Sequence, residues 1–397
     1  MENAVVVDAL RTPMGKRNGR LSGWHPAELA AEILNALAVR NDLDPALVDD
    51  VIMGCVMQVG AQSINVGRNA VLSAGWPESV PSTTVDRQCG SSQQSAHFAA
   101  QGVMAGAYDI VIAAGVEVMS LVPMGASVLV KDVGSPFSPS MEERYADVGG
   151  LQPQGIGAEL IAEKWGLSRE ELDAYGLRSQ QLAARARDEG RFDAEILPVA
   201  EKILDREAGK VVETGETVTT DGGIRESTLE KLASLKPAFL PDGKVTAGNS
   251  SQITDGAAAV LIMSESKAAE LGLRARARFH SFALAGVDPV TMLTGPIPAT
   301  TKVFERSGLG VEDIDVFEVN EAFASVVLAW AKEHNPNMER VNPNGGAIAL
   351  GHPLGCSGAR LMTTMLHELE RVGGRYGLQT MCEGGGMANA TIIERLG

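Results

Sequence analysis

The 397-residue chain is predicted to be a layered α/β protein built from two similar halves. Three observations carry that prediction. Apolar runs of strand length alternate with longer segments of helical periodicity. Runs such as DIVIAAGV at 109–116 are continuously apolar after Asp109, as strands covered on both faces are. The same order of elements then begins again near residue 277, giving a weak internal repeat with an offset near 265 residues.

The elements follow in order. Ala4 to Asp8 reads as a strand, and Pro26 to Val39 as a helix with Pro in its first turn. Val51 to Cys55 reads as a strand and Ile64 to Ala74 as a helix. Ser82 to Asp86 reads as a buried strand end, and Gln94 to Ala107 as a helix with Ala96, Ala99, Ala100, Val103, Met104 and Ala107 at spacings of three and four. From Met119 the pattern degrades, and residues 120–155 are rich in Gly, Pro, Ser and Met. Ala158 to Trp165 and Ser168 to Glu189 read as helices, the second opened by a Ser168/Glu171 capping box. Residues 191–247 are charged and loop-rich, so 120–247 reads as an insertion over the site, and 245–264 as a return to helix and strand. In the second half VEDIDVFEVNEAF (311–323) resembles ALVDDVIMGCV (46–56), with Asp315-Val316 matching Asp50-Val51. GHPLGCSGARLMTTMLHELERVGG reads as a loop plus helix, and YGLQTMCEGGG (376–386) as a strand. Two such halves packed about a pseudo-twofold axis bring their matching loops together.

Composition narrows the function. A formal charge of −16 argues against general nucleic-acid or anionic-membrane binding, but leaves room for an anionic ligand in a local basic pocket. The four cysteines, Cys55, Cys89, Cys356 and Cys382, include no CxxC pair, which fits a reduced, cytoplasmic chain. MENAVVVDALRTP runs directly into a strand without a signal-peptide pattern, and no apolar run approaches ~18 residues.

The chemistry gathers at four places. Cys89 falls at a strand-to-helix turn among Gly90, Ser91 and Ser92, where the N–H groups of a helix start favour thiolate. His352 lies between Gly351 and Pro353, a poor setting for a core histidine. Cys382 sits where an apolar strand breaks into Glu383-Gly384-Gly385-Gly386, whose N–H array suits an oxyanion. Asn320 ends a strand, where a helix-cap role competes with a functional one. Each of these residues also has a bland reading as a buried thiol or loop side chain. Two cysteines and a histidine on facing loops suggest thiol-based acyl transfer. No short ligand spacing points to a metal site.

With these motifs in their order, VDRQCGSSQQ, NEAFA, GGAIALGHPLGCSG and CEGGG, the chain resembles the thiolases over its full length. The resemblance implies duplicated βαβαβαββ halves in a five-layer α-β-α-β-α core. Residues 1–119 plus 248–273 would form the N-terminal half, 120–247 an inserted loop domain over the CoA and acyl site, and 274–397 the C-terminal half. It further implies that Cys89 is the acylated nucleophile. His352 would activate Cys89 and, with a water held by Asn320, stabilise the thioester oxyanion. Cys382 would be the acid/base at the α-carbon, and the N–H groups of Cys89 and Gly384 a second oxyanion hole. VTAGNSSQITDGAAA resembles the CoA-binding segment, setting Ser251 against the pantetheine, and the DGGIREST loop would bring Arg225 to the nucleotide end. Coenzyme A would be a substrate, with no permanently bound cofactor, and the assembly a homodimer or homotetramer.

Two departures bear on the substrate. Asp86 stands where the family commonly has Asn, and Pro153-Gln154 where small-chain biosynthetic members have His-Met. Gly155 and Gly157 are expected to leave volume there, and Met119, Met124, Phe137, Met141 and Tyr145 to line a variable apolar site. DRQCGSSQQ and CEGGGMAN resemble degradative thiolases of fatty-acid and steroid breakdown in actinobacteria. The expected reaction is CoA-dependent cleavage of a 3-ketoacyl-CoA to acetyl-CoA and a shortened acyl-CoA. The alternatives are condensation of two acetyl-CoA by a biosynthetic acetyltransferase, a ketoacyl-synthase-type enzyme, which Cys382 opposes, and a non-catalytic acyl-CoA carrier.

Overall fold

The computed structural model describes residues 2–397. Ala4–Arg11, Asp50–Gly54, Ser82–Val85, Ile110–Val118 and Thr254–Ser264 form the sheet of the first half. Ala277–Gly286, Val316–Val319, Tyr376–Glu383 and Met387–Arg395 form that of the second. The two sheets join edge to edge through Val5 with Arg278 and Val6 with Ala277. In each half an antiparallel trio leads into parallel strands, and Phe317 bridges to Val341 where the first half has Ser82–Val85.

Side-chain alternation along the strands builds the layers. Ile110, Ile112 and Ala114 face the outer helices Pro26–Arg40 and Val66–Ser73. Val111 and Ala113 face inward, onto helices Ser91–Met104 and Ser357–Val372. On the far side, Leu378, Ala390 and Ile392 face the outer helices Pro296–Ser307 and Ala324–His334. The order is therefore helix, sheet, helix pair, sheet, helix, a five-layer α/β sandwich. All-apolar strands are what a sheet covered on both faces requires.

The two central helices touch near their N-termini, where Ser92 Oγ accepts the N–H of Ala359 at 2.8 Å. A Cβ on Gly358 would lie 2.1 Å from the backbone N of Gln93, so this crossing is backbone on backbone. Gly115 and Gly54 extend the same constraint, since their Cβ atoms would lie 2.2 Å from Gly355 O and 2.4 Å from Ser92 N. The loops before both helices are thereby pressed together.

Residues 119–253 lie between two adjacent strands of the first sheet. Helices Gln154–Lys164 and Arg169–Asp188 pack through Ala158, Ile161, Leu172 and Tyr175 on the core of the second half. The expected capping box at Ser168 and Glu171 is present. Hairpin Val199–Asp205/Lys210–Val218, within the stretch read as loop-rich, instead rests on the first half, with Gly23 N–H on Lys202 O. No helix forms in 245–253, contrary to expectation. Asn249 Oδ1 accepts the N–H of Thr246 and Ser250 Oγ donates to Thr246 O, a local bonding pattern that competes with helix.

The structural repeat is 266 residues. Asp49 accepts the N–H groups of Asp109 and Ile110, and Asp315 those of Arg375 and Tyr376. Asp315 thus matches Asp49, one residue from the alignment read in sequence.

Gly358→Ala should destabilise the protein by roughly 3 kcal/mol despite the better helix propensity of Ala, because backbone cannot yield to the new methyl. Gly286→Ala, with nothing within 4 Å of its Cβ, should cost far less. Equilibrium denaturation of both variants checks this; equal midpoints would contradict the close crossing.

Candidate active site

Cys89 lies in a tight turn between strand Ser82–Val85 and helix Ser91–Met104. Asp86 Oδ1 accepts the N–H of Gln88 at 2.7 Å, Gln88 is left-handed at φ +48°, and Ser91 Oγ accepts the N–H of Arg87. This local bonding places the thiol inside a small apolar group with Met57, Met119, Val122, Leu354 and Met381. The Gln154 side chain, its own N–H and the N–H of Gly384 each favour the ionised form of the thiol.

The expected thiolate does not exist in the resting site. Burial pushes the Cys89 thiol up to about 12, with a smaller push from Glu383. The N–H groups act in the expected direction but are outweighed by desolvation. Cys89 is therefore held as a neutral thiol.

His352 is the buried imidazole of the second half. Its N–H donates to Gln252 O at 3.0 Å, and Gly351 before it is left-handed at φ +101°, where a Cβ would strike Thr254. Ser357 Oγ donates to Pro353 O at 2.9 Å, so its one proton is used there. It must then accept from His352 Nδ1–H, 2.5 Å away. That accounting leaves Nε2 as the lone-pair nitrogen. Asn320 Nδ2 lies 3.4 Å from it, and Asn320 Oδ1 is buried without a partner. Burial, and less so Arg360, lowers the imidazole to about 3, so it is neutral at physiological pH and fit to accept a proton. Asn320 is no helix cap: the next helix starts at Ala324 with no side-chain cap bond.

Cys382 faces Ala388 at the end of strand Tyr376–Glu383, before Gly385 and Gly386 at φ +80° and +79°. Burial raises its thiol well above the ordinary range, and the next contribution is the proximity of Cys89. Cys89, Cys382 and Gly384 thus form one group, and Asn320 and His352 a second pair. Ser251 bonds through its N–H to Ala322 O at 2.9 Å, beside Asn320, and Gln252 links it to His352. Arg225 is exposed, with Nη2 3.4 Å from Ala247 O in the loop that leads to Ser251.

Several positioning residues escape motif reading. Glu117 accepts the N–H groups of Val56, Met57 and Gly355 and the amide of Gln62, tying the two halves together beside His352. Glu321 takes Tyr175, Ser179, Asn342 and the N–H of Ile348, fixing the strand end that carries Asn320. An isolated acidic residue inside an apolar strand, as in GVEV, is the only trace in the sequence. The insertion also differs from expectation. Gly155 and Gly157 leave no space: their Cβ atoms would lie 2.2 Å from the Phe239 ring and 2.8 Å from Thr291 O. Met119 is in the Cys89 group, while Met124 and Phe137 are about half exposed, at 54% and 48%.

Paired thiols, a neutral imidazole and aimed N–H groups define a thiol-dependent acyl-transfer site. Residues 4–266 match the thiolase N-terminal domain and residues 273–395 the thiolase C-terminal domain. The chain belongs to the thiolase family. It is 52% identical to the steroid 3-ketoacyl-CoA thiolase FadA6 of Mycobacterium tuberculosis, covering 100% of this chain and 95% of that protein. It is 45% identical to a 3-ketoacyl-CoA thiolase of Aliivibrio salmonicida over the full length of both. Among solved structures, the acetyl-CoA acetyltransferase of Bacillus anthracis superposes with a TM-score of 0.89 at 39% identity, covering 100% of this chain and 99% of that one.

Ser357→Ala should free the His352 ring to take the wrong tautomer. Acylation of Cys89 by an acyl-CoA should then slow by roughly tenfold to a hundredfold with little change in unfolding midpoint, within what general acid–base catalysis supplies. Stopped-flow acylation kinetics check this; an unchanged rate would contradict the orienting bond.

Proposed function

We propose that this chain is a degradative 3-ketoacyl-CoA thiolase working through a Cys89 acyl-enzyme. The observation that carries the reading is the pair of buried thiols from opposite halves, close enough that a charge on Cys89 acts on Cys382. Cys89 attacks the 3-keto carbon while its proton passes to His352 Nε2. The bond between the α- and β-carbons breaks, and Cys382 protonates the α-carbon of the departing acetyl-CoA. The thiol of a second CoA then gives its proton to the Cys382 thiolate and attacks the Cys89 thioester, releasing the shortened acyl-CoA, while His352 returns its proton to Cys89. The N–H groups of Cys89 and Gly384 stabilise one oxyanion, and His352 with Asn320 the other. Ser251 lies along the pantetheine and Arg225 at the nucleotide end.

The apolar group around Cys89 supports an acyl part larger than acetoacetyl, and the mycobacterial relative makes a ring-bearing acyl group a natural member of the test set. The assembly is a dimer or a dimer of dimers. Strand Ser82–Val85 supports this: it is the outer edge of the sheet and leads directly into the Cys89 turn, and Ile64 nearby is 88% exposed. Among the described residues no helix is long and apolar enough to cross a membrane.

Three outcomes are expected. Medium-chain or ring-bearing 3-ketoacyl-CoA should exceed acetoacetyl-CoA in kcat/KM for thiolysis by at least roughly tenfold, as two buried methylenes would give. A clear preference for acetoacetyl-CoA would instead favour the biosynthetic reaction. Cys382→Ser should abolish deuterium exchange at the α-carbon of acetyl-CoA while Cys89 still acylates; normal exchange would remove the assigned role. Light scattering at micromolar concentration should give a dimer or tetramer, and a fully active monomer would contradict the assembly.

A further inference from the structure

Glu383 stands apart from the other buried carboxylates of the site. It directly follows Cys382 and is fully buried, and neither of its oxygens has a hydrogen-bond partner. Its carboxyl packs on the Cα of Gly90, the residue after Cys89: a Cβ there would lie 2.1 Å from Glu383 Oε1. The adjacent amide, Asn389 Nδ2, donates to Gly90 O at 3.1 Å and makes no hydrogen bond to the carboxyl. The 266-residue repeat pairs Glu383 with Glu117, and the contrast between them is informative. Glu117 accepts five hydrogen bonds, including the N–H of Gly355, the counterpart of Cys89. Neither oxygen of Glu383 has such a donor, so the second carboxyl lacks the N–H that its counterpart keeps.

We propose that Glu383 is a positioning residue whose charge state controls the ionisation of Cys89, permitting thiolate formation when its carboxyl is protonated and opposing it when ionised. The inference rests on the acyl-enzyme reading of Cys89. Its basis is physical: a buried carboxyl with no donor is stable as the neutral acid, and a charge formed there is poorly screened. Burial pushes the Glu383 carboxyl up to about 8. The groups facing it are Arg87, which favours its ionisation, and Asp86, which opposes it, both on the nucleophile loop. Cys382 adjoins it in the chain, and both thiols feel its charge. His97, on the helix that follows Cys89, is held neutral by burial, at about 3, and Asn389 on the neighbouring strand carries no charge. Near neutral pH the carboxyl is protonated and leaves Cys89 free to ionise during attack. Above about 8 it becomes an anion between the two thiol-bearing loops.

The test is the pH dependence of Cys89 alkylation by iodoacetamide in the intact protein without acyl-CoA, followed by peptide mass. In the wild type, log rate should rise with pH, bend to a shallower slope near pH 8, and then rise again. In Glu383→Gln the line should be straight. The variant-to-wild-type ratio should therefore grow on the order of tenfold between pH 6.5 and 9.5, the factor for one pKa unit of coupling. A ratio constant with pH, or a wild-type line without a bend, would overturn the proposal. The wild-type curve decides the matter even if the Gln variant fails to fold. Because no acyl-CoA is present, the result is separable from the reaction assignment. A protein with CoA-dependent cleavage but no bend refutes the proposal alone, and one with a bend but no cleavage refutes the acyl-enzyme reading alone.

Discussion

The backbone contact between the two central helices is the constraint on which the site depends. Both helices are preceded by chemically active loops, Cys89 before one and His352 before the other. They cross at their N-terminal ends, Gln93 against Gly358 and Ser92 against Ala359, so the loops are brought to one place. A methyl at Gly358, Gly115 or Gly54 would hold them apart. Glu117 reinforces the contact by bonding the N–H of Gly355 from across the pseudo-twofold axis. Neither half alone carries the site.

Burial is the second determinant. The site excludes water, and this forces its ionisable groups into neutral forms: thiols raised, imidazole lowered, the Glu383 carboxyl raised. The resting site is therefore poised for proton transfer in concert with attack, not for attack by a standing thiolate. This suits the roles proposed for the two thiols, nucleophile and α-carbon acid. An exposed thiolate would be open to side reactions, whereas a buried thiol ionises reluctantly.

Much of this was legible in the sequence. The covered strands read as continuous apolar runs, and Ser168 with Glu171 forms the capping box that their spacing announces. Cys89, His352 and Cys382 stand out because Gly, Pro or small residues lie close by, and Asn320 because it ends a strand. The sign of the Cys89 shift was not legible, because it depends on the depth of burial as well as on the helix start. The roles of Glu117 and Ser357 depend on partners that only the fold brings near, Gly355 being 238 residues from Glu117. Gly155 and Gly157 misled in the opposite way: a glycine marks either space or close packing, and here Phe239 and Thr291 fill the space. The Asp49-Asp50 doublet hid the repeat register until its hydrogen bonds fixed it at Asp49.

On this reading the two halves assemble one nucleophilic thiol, Cys89, for acyl transfer. Peptide-mapped mass spectrometry of the protein after brief exposure to acetyl-CoA and a low-pH quench tests this most directly. A single acetyl group is expected on the Cys89 peptide, removed by added CoA. An acetyl group on Cys382 or Cys55, or no CoA-labile adduct at all, would contradict it.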